Sequence, residues 1–264
     1  MTETNGLALV TGASTGIGAE IARELARRGR RLALVARDRA KLDALAGELG
    51  APGGAPPLVI ALDLLAPGAV GAMQAAVAAA GGSVDLLVNN AGIGLQGPAA
   101  ELDPDAQLAI VDLNCRVYTE VALRFLPDIR RARGKMLNVA SSAAYLPGPG
   151  MTVYYASKAY ALSFSEGLAT ELKRDGVTVT ALCPGPVPTA FQARARMSVK
   201  FPAMAAMSAQ AVAKAGVDGL FAGKRVVIPG LPTKGMVAMS KVTPRAWGAA
   251  ALATLQFRPF KRLP

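Results

Sequence analysis

The stretch GLALVTGASTGIGAEIARELARRG, residues 6–29, decides the fold of this chain. Its apolar beginning, residues 6–13, is typical of a buried β-strand, and apolar side chains then recur at helical spacing. Between strand and helix lie Gly12, Gly16 and Gly18, where the missing Cβ atoms allow a sharp turn and a close approach of the backbone to a ligand. A helix that starts there offers free N–H groups and partial positive charge to a pyrophosphate. We therefore predict a dinucleotide-binding turn, although its G-x-x-x-G-x-G spacing differs from G-x-G-x-x-G, and a turn without a ligand is the alternative.

The alternation of strand and helix patterns continues along the chain. Further apolar runs predict strands at 30–37, 56–64, 84–92, 134–142, 177–185 and 225–230. Helical patterns cover 38–50, 67–80, 103–126, 152–174 and 208–221, with Asp38 and Asp103 placed to cap two of them. Because the strands are continuous apolar runs, both faces of the sheet are expected to be covered. The fold class is therefore α/β, a doubly wound parallel sheet of about seven strands with helices on both faces.

Composition excludes several kinds of site. The chain has 264 residues, no histidine and two cysteines, Cys115 and Cys183, without ligand-like spacing. A His-ligated metal site and a Ser–His–Asp triad are thus impossible, and no metal is predicted. No signal peptide or spanning helix is evident, so we expect a cytoplasmic protein with one domain over residues 1–264.

The second strand ends in Ala36 and Arg37, where cofactor choice is usually set. An acidic residue there would bind a ribose 2′-hydroxyl, whereas an arginine pairs with a 2′-phosphate. Arg37 therefore favours NADP(H) over NAD(H). In the alternative, Arg37 is a solvated cation and Asp38 is the ribose ligand, but Asp38 is better explained as a helix cap.

The segment VYYASKAY, residues 153–160, places Tyr154 and Lys158 one helical turn apart. A neighbouring ammonium favours the phenolate and lowers a tyrosine pKa by roughly 1–3 units, toward the range useful for acid–base catalysis. We therefore predict that Lys158 tunes Tyr154. Tyr155, three residues from the lysine, is a rival, and plain aromatic packing of this helix is the alternative.

These motifs together resemble the short-chain dehydrogenase/reductase family over residues 6 to about 190. They are TGASTGIG (11–18), NNAG (89–92), DLNCR (112–116), NVASS (138–142), YYASK (154–158) and CPGPVPT (183–189). The resemblance implies a Rossmann-type sheet and hydride transfer between NAD(P)(H) and an alcohol or carbonyl substrate.

The resemblance also implies roles for the residues in these motifs. Tyr154 gives or takes the proton on the substrate oxygen, and Lys158 also binds the nicotinamide ribose. Ser141 holds the substrate oxygen, with Ser142 as its rival. Asn114 keeps a water beside the lysine, unless it only bonds nearby backbone. The implied cofactor contacts are Gly12, Ser14, Thr15, Gly16, Ile17, Gly18, Arg37, Asp63, Leu64, Asn90, Ala91, Gly92, Tyr154, Lys158, Pro184, Gly185, Val187 and Thr189.

The region 190–264 is expected to form a variable cover over the substrate side and a basic tail. Residues 191–264 hold 12 of the 29 Lys and Arg residues and one of the 18 Asp and Glu residues. This tail could contact an anionic membrane or an acidic carrier protein, or be an ordinary solvated face. Nothing in it suggests nucleic-acid binding.

The substrate side is also expected to be apolar. The methionine- and phenylalanine-rich segment 197–207 could form a pliable apolar wall, or could simply be core and surface packing. A substrate that is apolar around its carbonyl follows from the first interpretation. The resemblance, together with the basic tail, implies a 3-oxoacyl, steroid-like or similar ketone. The resemblance further implies a homodimer or homotetramer through helices 103–126 and 152–174. A cofactor-binding scaffold or a membrane-peripheral protein with little turnover is the alternative function.

Overall fold

The structure, a computed structural model, describes residues 6–50, 55–196 and 206–256. Seven parallel strands form one sheet in the order β3-β2-β1-β4-β5-β6-β7. The strands are β1 (Leu7–Thr11), β2 (Arg31–Ala36), β3 (Leu58–Ala61), β4 (Val84–Asn89), β5 (Lys135–Val139), β6 (Thr178–Leu182) and β7 (Val226–Val227). All seven predicted strands are therefore confirmed, and so is the doubly wound parallel sheet.

Helices cover both faces of this sheet, as the continuous apolar strands predicted. They are α1 (Gly16–Arg27), α2 (Arg39–Leu49), α3 (Ala69–Ala79), α4 (Pro104–Val111), α5 (Tyr118–Arg131), α6 (Thr152–Glu171), α7 (Ala190–Arg194), α8 (Ala209–Phe221), α9 (Leu231–Val242) and α10 (Arg245–Gln256). Alternate residues of β1 point to opposite sides, Ala8 and Val10 into one apolar cluster and Leu7 and Leu9 into the other. The helices α1, α2 and α8 pack on the first cluster, and α3, α5 and α6 on the second.

Two helix caps were predicted correctly. The Asp38 side chain accepts from the Lys41 N–H at the start of α2, and the Asp103 side chain accepts from the Asp105 N–H at the start of α4. These bonds satisfy N–H groups that have no partner within the helix.

The predicted long helix 103–126 is present but interrupted. A π-helical segment, Asp112–Val117, joins α4 to α5, and the helical run continues to Arg131. A π segment widens the turn by one residue and changes the direction in which the following side chains point. Asn114 lies inside this segment.

The described part of the tail is helical rather than extended. A helix in this tail was one of its interpretations, but the bounds of α9 and α10 were not predicted; α9 packs its Thr233 and Val237 side chains inward. No helix among the described residues is both long and apolar enough to cross a membrane.

Candidate active site

A cleft of about 610 Å³ lies at the carboxyl ends of the central strands. Parallel αβ sheets bind their ligands at this edge, where the strand order reverses. The cleft is lined by every residue predicted to contact substrate or cofactor except Asn114. These lining residues are Gly12, Ser14, Thr15, Gly16, Ile17, Gly18, Arg37, Asp63, Leu64, Asn90, Ala91, Gly92, Ser141, Tyr154, Lys158, Pro184, Gly185, Val187 and Thr189.

The turn between β1 and α1 requires its glycines. Gly12 and Gly16 have φ values of 66° and 61°, a left-handed conformation that residues with a Cβ rarely adopt. A Cβ added to Gly18 would lie 2.3 Å from the Gly12 carbonyl oxygen, so only glycine allows this close packing. The first turn of α1 contains no acidic residue, and no side chain caps it. Its N–H groups are therefore available to an anion, and the turn fits the pyrophosphate of a dinucleotide.

Asn90 holds this turn against the end of β4. Its side-chain amide donates to the Thr11 and Gly12 carbonyl oxygens at 2.9 and 3.3 Å. The Thr11 hydroxyl in turn accepts from the backbone N–H groups of Asn90 and Ala91. The glycine turn is thus held in place by hydrogen bonds between the ends of the neighbouring strands β1 and β4.

At the end of β2, the cations and the acid have different roles. The Asp38 carboxylate is engaged by the Lys41 N–H at 3.1 Å and by Lys41 Nζ at 2.5 Å. Arg37 is exposed, and its guanidinium lies 3.9 Å from the Asp63 carboxylate. Lys41 also lines the cleft, a position that the sequence interpretation missed. Two cations therefore line this end of the cleft together with the carboxylates of Asp38 and Asp63, and Asp38 also caps the helix.

Ser141 and Tyr154 meet at the opposite end of the cleft. Ser141 follows β5, Tyr154 lies in the first turn of α6, and both line the cleft. The Ser141 hydroxyl also accepts from the Ala143 N–H at 3.1 Å. Of the rivals, Ser142 is buried, and the ring of Tyr155 packs over Gly148. All four of these side chains line the cleft, and Tyr154 is the tyrosine whose ring lies 5.9 Å from the Lys158 Nζ.

Lys158 lies beneath Tyr154 and is 6% exposed. Its Nζ donates to the Val139 carbonyl oxygen at 3.1 Å and lies 5.9 Å from the centre of the Tyr154 ring. Burial lowers the pKa of Lys158 from 10.5 to about 8, because the interior solvates an ammonium poorly.

The predicted direction of the Tyr154 pKa is wrong for the structure as it stands. Burial raises this pKa from 10.0 to about 12, and the neighbouring Ser141 hydroxyl offsets the rise only in part. Tyr154 is half-buried as a residue, but its hydroxyl is enclosed by the cleft. Burial is therefore the dominant influence on this pKa.

Asn114 does not line the cleft, but it supports the residues that do. Its amide donates to the Ile93 carbonyl oxygen at 2.8 Å and to the Ser157 hydroxyl at 2.9 Å. Its carbonyl oxygen accepts from the Ile93 N–H at 3.0 Å. The Ser157 hydroxyl donates to the Tyr154 carbonyl oxygen at 2.7 Å. The backbone partner, Ile93, lies 21 residues away in the chain, so these are not the local backbone bonds that were the alternative to a water-holding role.

An apolar wall closes the substrate side of the cleft. Phe191 lies 5.4 Å from the Tyr154 ring, measured between ring centres. Met236 of α9 and Leu252 of α10 also line the cleft. Sequence reasoning missed all three, because nothing in one sequence shows that these helices fold back over the sheet. Of the segment 197–207, only Met207 and Ala206 are among the described residues, so that predicted wall lies almost wholly outside them.

Known proteins are similar to this chain in sequence. The model of the short chain dehydrogenase family matches residues 6–200. A very-long-chain 3-oxoacyl-CoA reductase from Anas platyrhynchos is 36% identical over 184 residues, which are 67% of this chain and 58% of that protein. The granaticin polyketide synthase putative ketoacyl reductase 1 from Streptomyces violaceoruber is 36% identical, over 72% of this chain and 71% of that protein. The chain thus spans less than two thirds of the first relative's length.

Solved structures agree over a larger part of the chain. A short-chain dehydrogenase from Sphingobium yanoikuyae in complex with NADPH superposes with a TM-score of 0.79 and 31% identity, covering 91% of this chain and 96% of that one. A 3-ketoacyl-(acyl-carrier-protein) reductase from Brucella melitensis complexed with NADH gives 0.73 and 30%, covering 84% and 94%. Similar structures therefore contain either cofactor.

Proposed function

The chain belongs to the short-chain dehydrogenase family, and from that premise we propose that it is an NADP(H)-dependent oxidoreductase acting on an apolar carbonyl compound and its alcohol. The observation that carries the proposal is that Ser141 and Tyr154 line one cleft with the buried cation Lys158, whose Nζ lies over the Tyr154 ring. This group shares one cleft with the glycine turn. Nicotinamide, when bound, supplies or accepts the hydride.

Tyr154 acts as the proton donor in carbonyl reduction. A pKa of about 12 keeps its phenol protonated at neutral pH, so the acid is ready without prior titration. The Ser141 hydroxyl binds the same substrate oxygen and stabilises the negative charge that develops on it.

Lys158 stabilises the phenolate that proton transfer leaves behind. The ammonium lies on the face of the Tyr154 ring, held by the Val139 carbonyl oxygen. Asn114 acts through Ile93 and Ser157, which it fixes at the base of the site. It is therefore a positioning residue for Tyr154.

The preference for NADP(H) rests on charge at the end of β2. Arg37 and Lys41 both line the cleft there, and an arginine suits a 2′-phosphate. The carboxylate that would bind a ribose hydroxyl instead caps α2. Replacing Arg37 or Lys41 with alanine should raise KM for NADPH and leave KM for NADH unchanged. An equal rise for both cofactors would argue against a phosphate site.

The substrate class is proposed from the apolar wall. Phe191, Met236 and Leu252 surround the space next to Tyr154, so a 3-oxoacyl compound or another bulky ketone fits there better than a small polar one. The names of the ketoacyl reductase relatives point to the same class.

A homo-oligomer is also proposed. Leu108 and Val111 of α4, Leu123 of α5 and Tyr160 of α6 are exposed apolar side chains. A second copy packed on these helices would cover them. Light scattering coupled to size exclusion would measure the assembly, and a monomer would contradict this part of the proposal.

Loss of NADPH absorbance with a panel of 3-oxoacyl thioesters, steroid ketones and aryl ketones tests the activity. Tyr154→Phe should keep cofactor binding and lose about 10²- to 10⁴-fold in kcat. Tyr155→Phe is the matched control, because it removes a hydroxyl from the neighbouring ring and should leave kcat near that of the wild type. Full turnover by Tyr154→Phe would refute the proposed role.

A further inference from the structure

The outward face of α9 is apolar and exposed, although its inward face is packed. Leu231 is 81% exposed, Met239 is 62% exposed and Val242 is 76% exposed. Their spacing of eight and three residues puts them on one side of the helix. Thr233 and Val237 on the other side are buried. Within the described residues, this helix therefore presents a strip of apolar side chains that the chain itself does not cover.

Cations border this strip, and no acid balances them. Lys234 and Lys241 of α9 and Arg245 at the start of α10 are exposed. From residue 219 to residue 256 the sequence contains no Asp or Glu. The chain's single tryptophan, Trp247, lies in the first turn of α10 and is 71% exposed. The exposed apolar side chains and lysines of α9, followed by the exposed Arg245 and Trp247 at the start of α10, have the composition of an interfacial membrane segment.

The same two helices border the mouth of the cleft. Thr233 packs on the Gly185 turn so closely that a Cβ added to Gly185 would lie 2.4 Å from the Thr233 hydroxyl. Met236 and Leu252 line the cleft from α9 and α10. A surface that binds the outer side of these helices would therefore sit beside the entrance to the site.

We propose that the outward face of α9 with the first turn of α10, the α9–α10 surface, docks onto a bilayer that contains anionic phospholipids. Charge complementarity selects this occupant over a second copy of the chain. A symmetric self-contact would place Lys234, Lys241 and Arg245 near their own counterparts without a neutralising acid in residues 219–256. An anionic lipid surface attracts each of these cations. In combination with the proposed function, an apolar ketone would reach the cleft from the bilayer.

Vesicle binding of the full chain, measured without substrate, tests this surface independently of the activity. We expect the protein to sediment with vesicles of equal parts phosphatidylcholine and phosphatidylglycerol, and to stay in solution with phosphatidylcholine alone. Because Trp247 is the chain's single tryptophan, its emission should shift to the blue as the indole enters the lipid interface. Raised salt should reverse the binding.

Two variants and one control locate the contact. Lys234→Gln/Lys241→Gln should weaken partition about 25-fold, since each cation near the surface contributes about fivefold. Leu231→Gln/Met239→Gln/Val242→Gln should abolish the emission shift without unfolding the chain, because these side chains are exposed. The control Lys173→Gln/Arg174→Gln removes two exposed cations elsewhere and should bind like the wild type.

Three results would overturn the proposal. The first is that the wild-type protein does not bind anionic vesicles. The second is that the Lys173→Gln/Arg174→Gln control loses as much binding as the Lys234→Gln/Lys241→Gln variant. The third is that the Leu231→Gln/Met239→Gln/Val242→Gln variant dissociates an oligomer on size exclusion. The last result would assign the surface to a second copy of the chain. None of these three results would change the carbonyl reduction measured in solution, so the proposed function is tested independently of membrane binding.

Discussion

Replacing Lys158 with methionine would separate the cost of this buried cation to the fold from its contribution to turnover. Burial lowers the pKa of Lys158 from 10.5 to about 8 in the folded chain. Unfolding returns the side chain to water and its pKa to the ordinary value. Between about pH 8 and 10.5 the unfolded chain therefore binds more protons at this site, and the stability of the wild type rises with pH.

The size of the effect follows from the two pKa values. The difference between 10.5 and about 8 corresponds to about 3 kcal/mol of destabilisation, complete below about pH 8 and absent above about pH 10.5. Between pH 7 and pH 10 the free energy of unfolding of the wild type should therefore rise by about 2.5 kcal/mol relative to Lys158→Met. Cys183 has a pKa of about 11 and stays neutral over this range.

Urea unfolding followed by far-UV circular dichroism at pH 7 and pH 10 measures this difference. Lys224→Met, at an exposed lysine, is the matched control and should show no such trend. The Lys158→Met variant should also lose turnover while keeping its fold, because nothing then stabilises the Tyr154 phenolate. A stability difference that does not change with pH, or that changes with the opposite sign, would refute a buried lysine whose pKa is depressed.

Three further predictions concern the same cleft. Ser141→Ala should lower kcat by about 10²- to 10³-fold in the NADPH assay, whereas Ser142→Ala should not; equal losses would remove the distinction between them. The reduction rate should fall as the pH rises through about 8, where Lys158 loses its charge, and a pH profile that climbs instead would contradict this role. Gly18→Ala should destabilise the chain by about 1–3 kcal/mol in thermal unfolding and weaken cofactor binding. Gly47 has open space around it, so Gly47→Ala should stabilise the chain by about 0.5–1 kcal/mol. A chain that is more stable with Gly18→Ala than with Gly47→Ala would be inconsistent with the turn geometry.

The sheet was predictable from sequence because its pattern is local. Each apolar run is short and bounded, so the seven strands follow from periodicity, and parallel pairing follows from the helices between them. The caps at Asp38 and Asp103 are equally local, since each acid bonds an N–H two or three residues further along. Predictions of this kind need no knowledge of what packs on the segment.

The features that could not be predicted from the sequence depend on contacts between residues that are far apart in the chain. Lys41 lies in the first turn of α2, where a lysine is expected to be solvated, and only the end of β2 brings it to the cleft. Met236 and Leu252 reach the cleft because α9 and α10 fold back over the sheet. The pKa of Tyr154 is raised, whereas it was predicted to be lowered. The spacing of Tyr154 and Lys158 in the sequence indicates the nearby ammonium, but the burial that raises the pKa depends on the whole surrounding structure.

The π segment at Asp112–Val117 was predictable in part: the sequence indicated its key residue but not the geometry of the segment. The sequence DLNCR indicated that Asn114 matters, but helical periodicity gave no reason for an asparagine there. In the structure the widened turn directs its carboxamide to Ile93, just past the end of β4, and to Ser157 in α6. Asn114 thereby ties the strand edge to the helix that carries Tyr154, and all three of its hydrogen bonds are made in the interior, where a lost partner is costly. An aspartate could accept from the Ile93 N–H but could not donate to the Ile93 carbonyl, so the need to donate and accept at one point explains why an amide stands at this position.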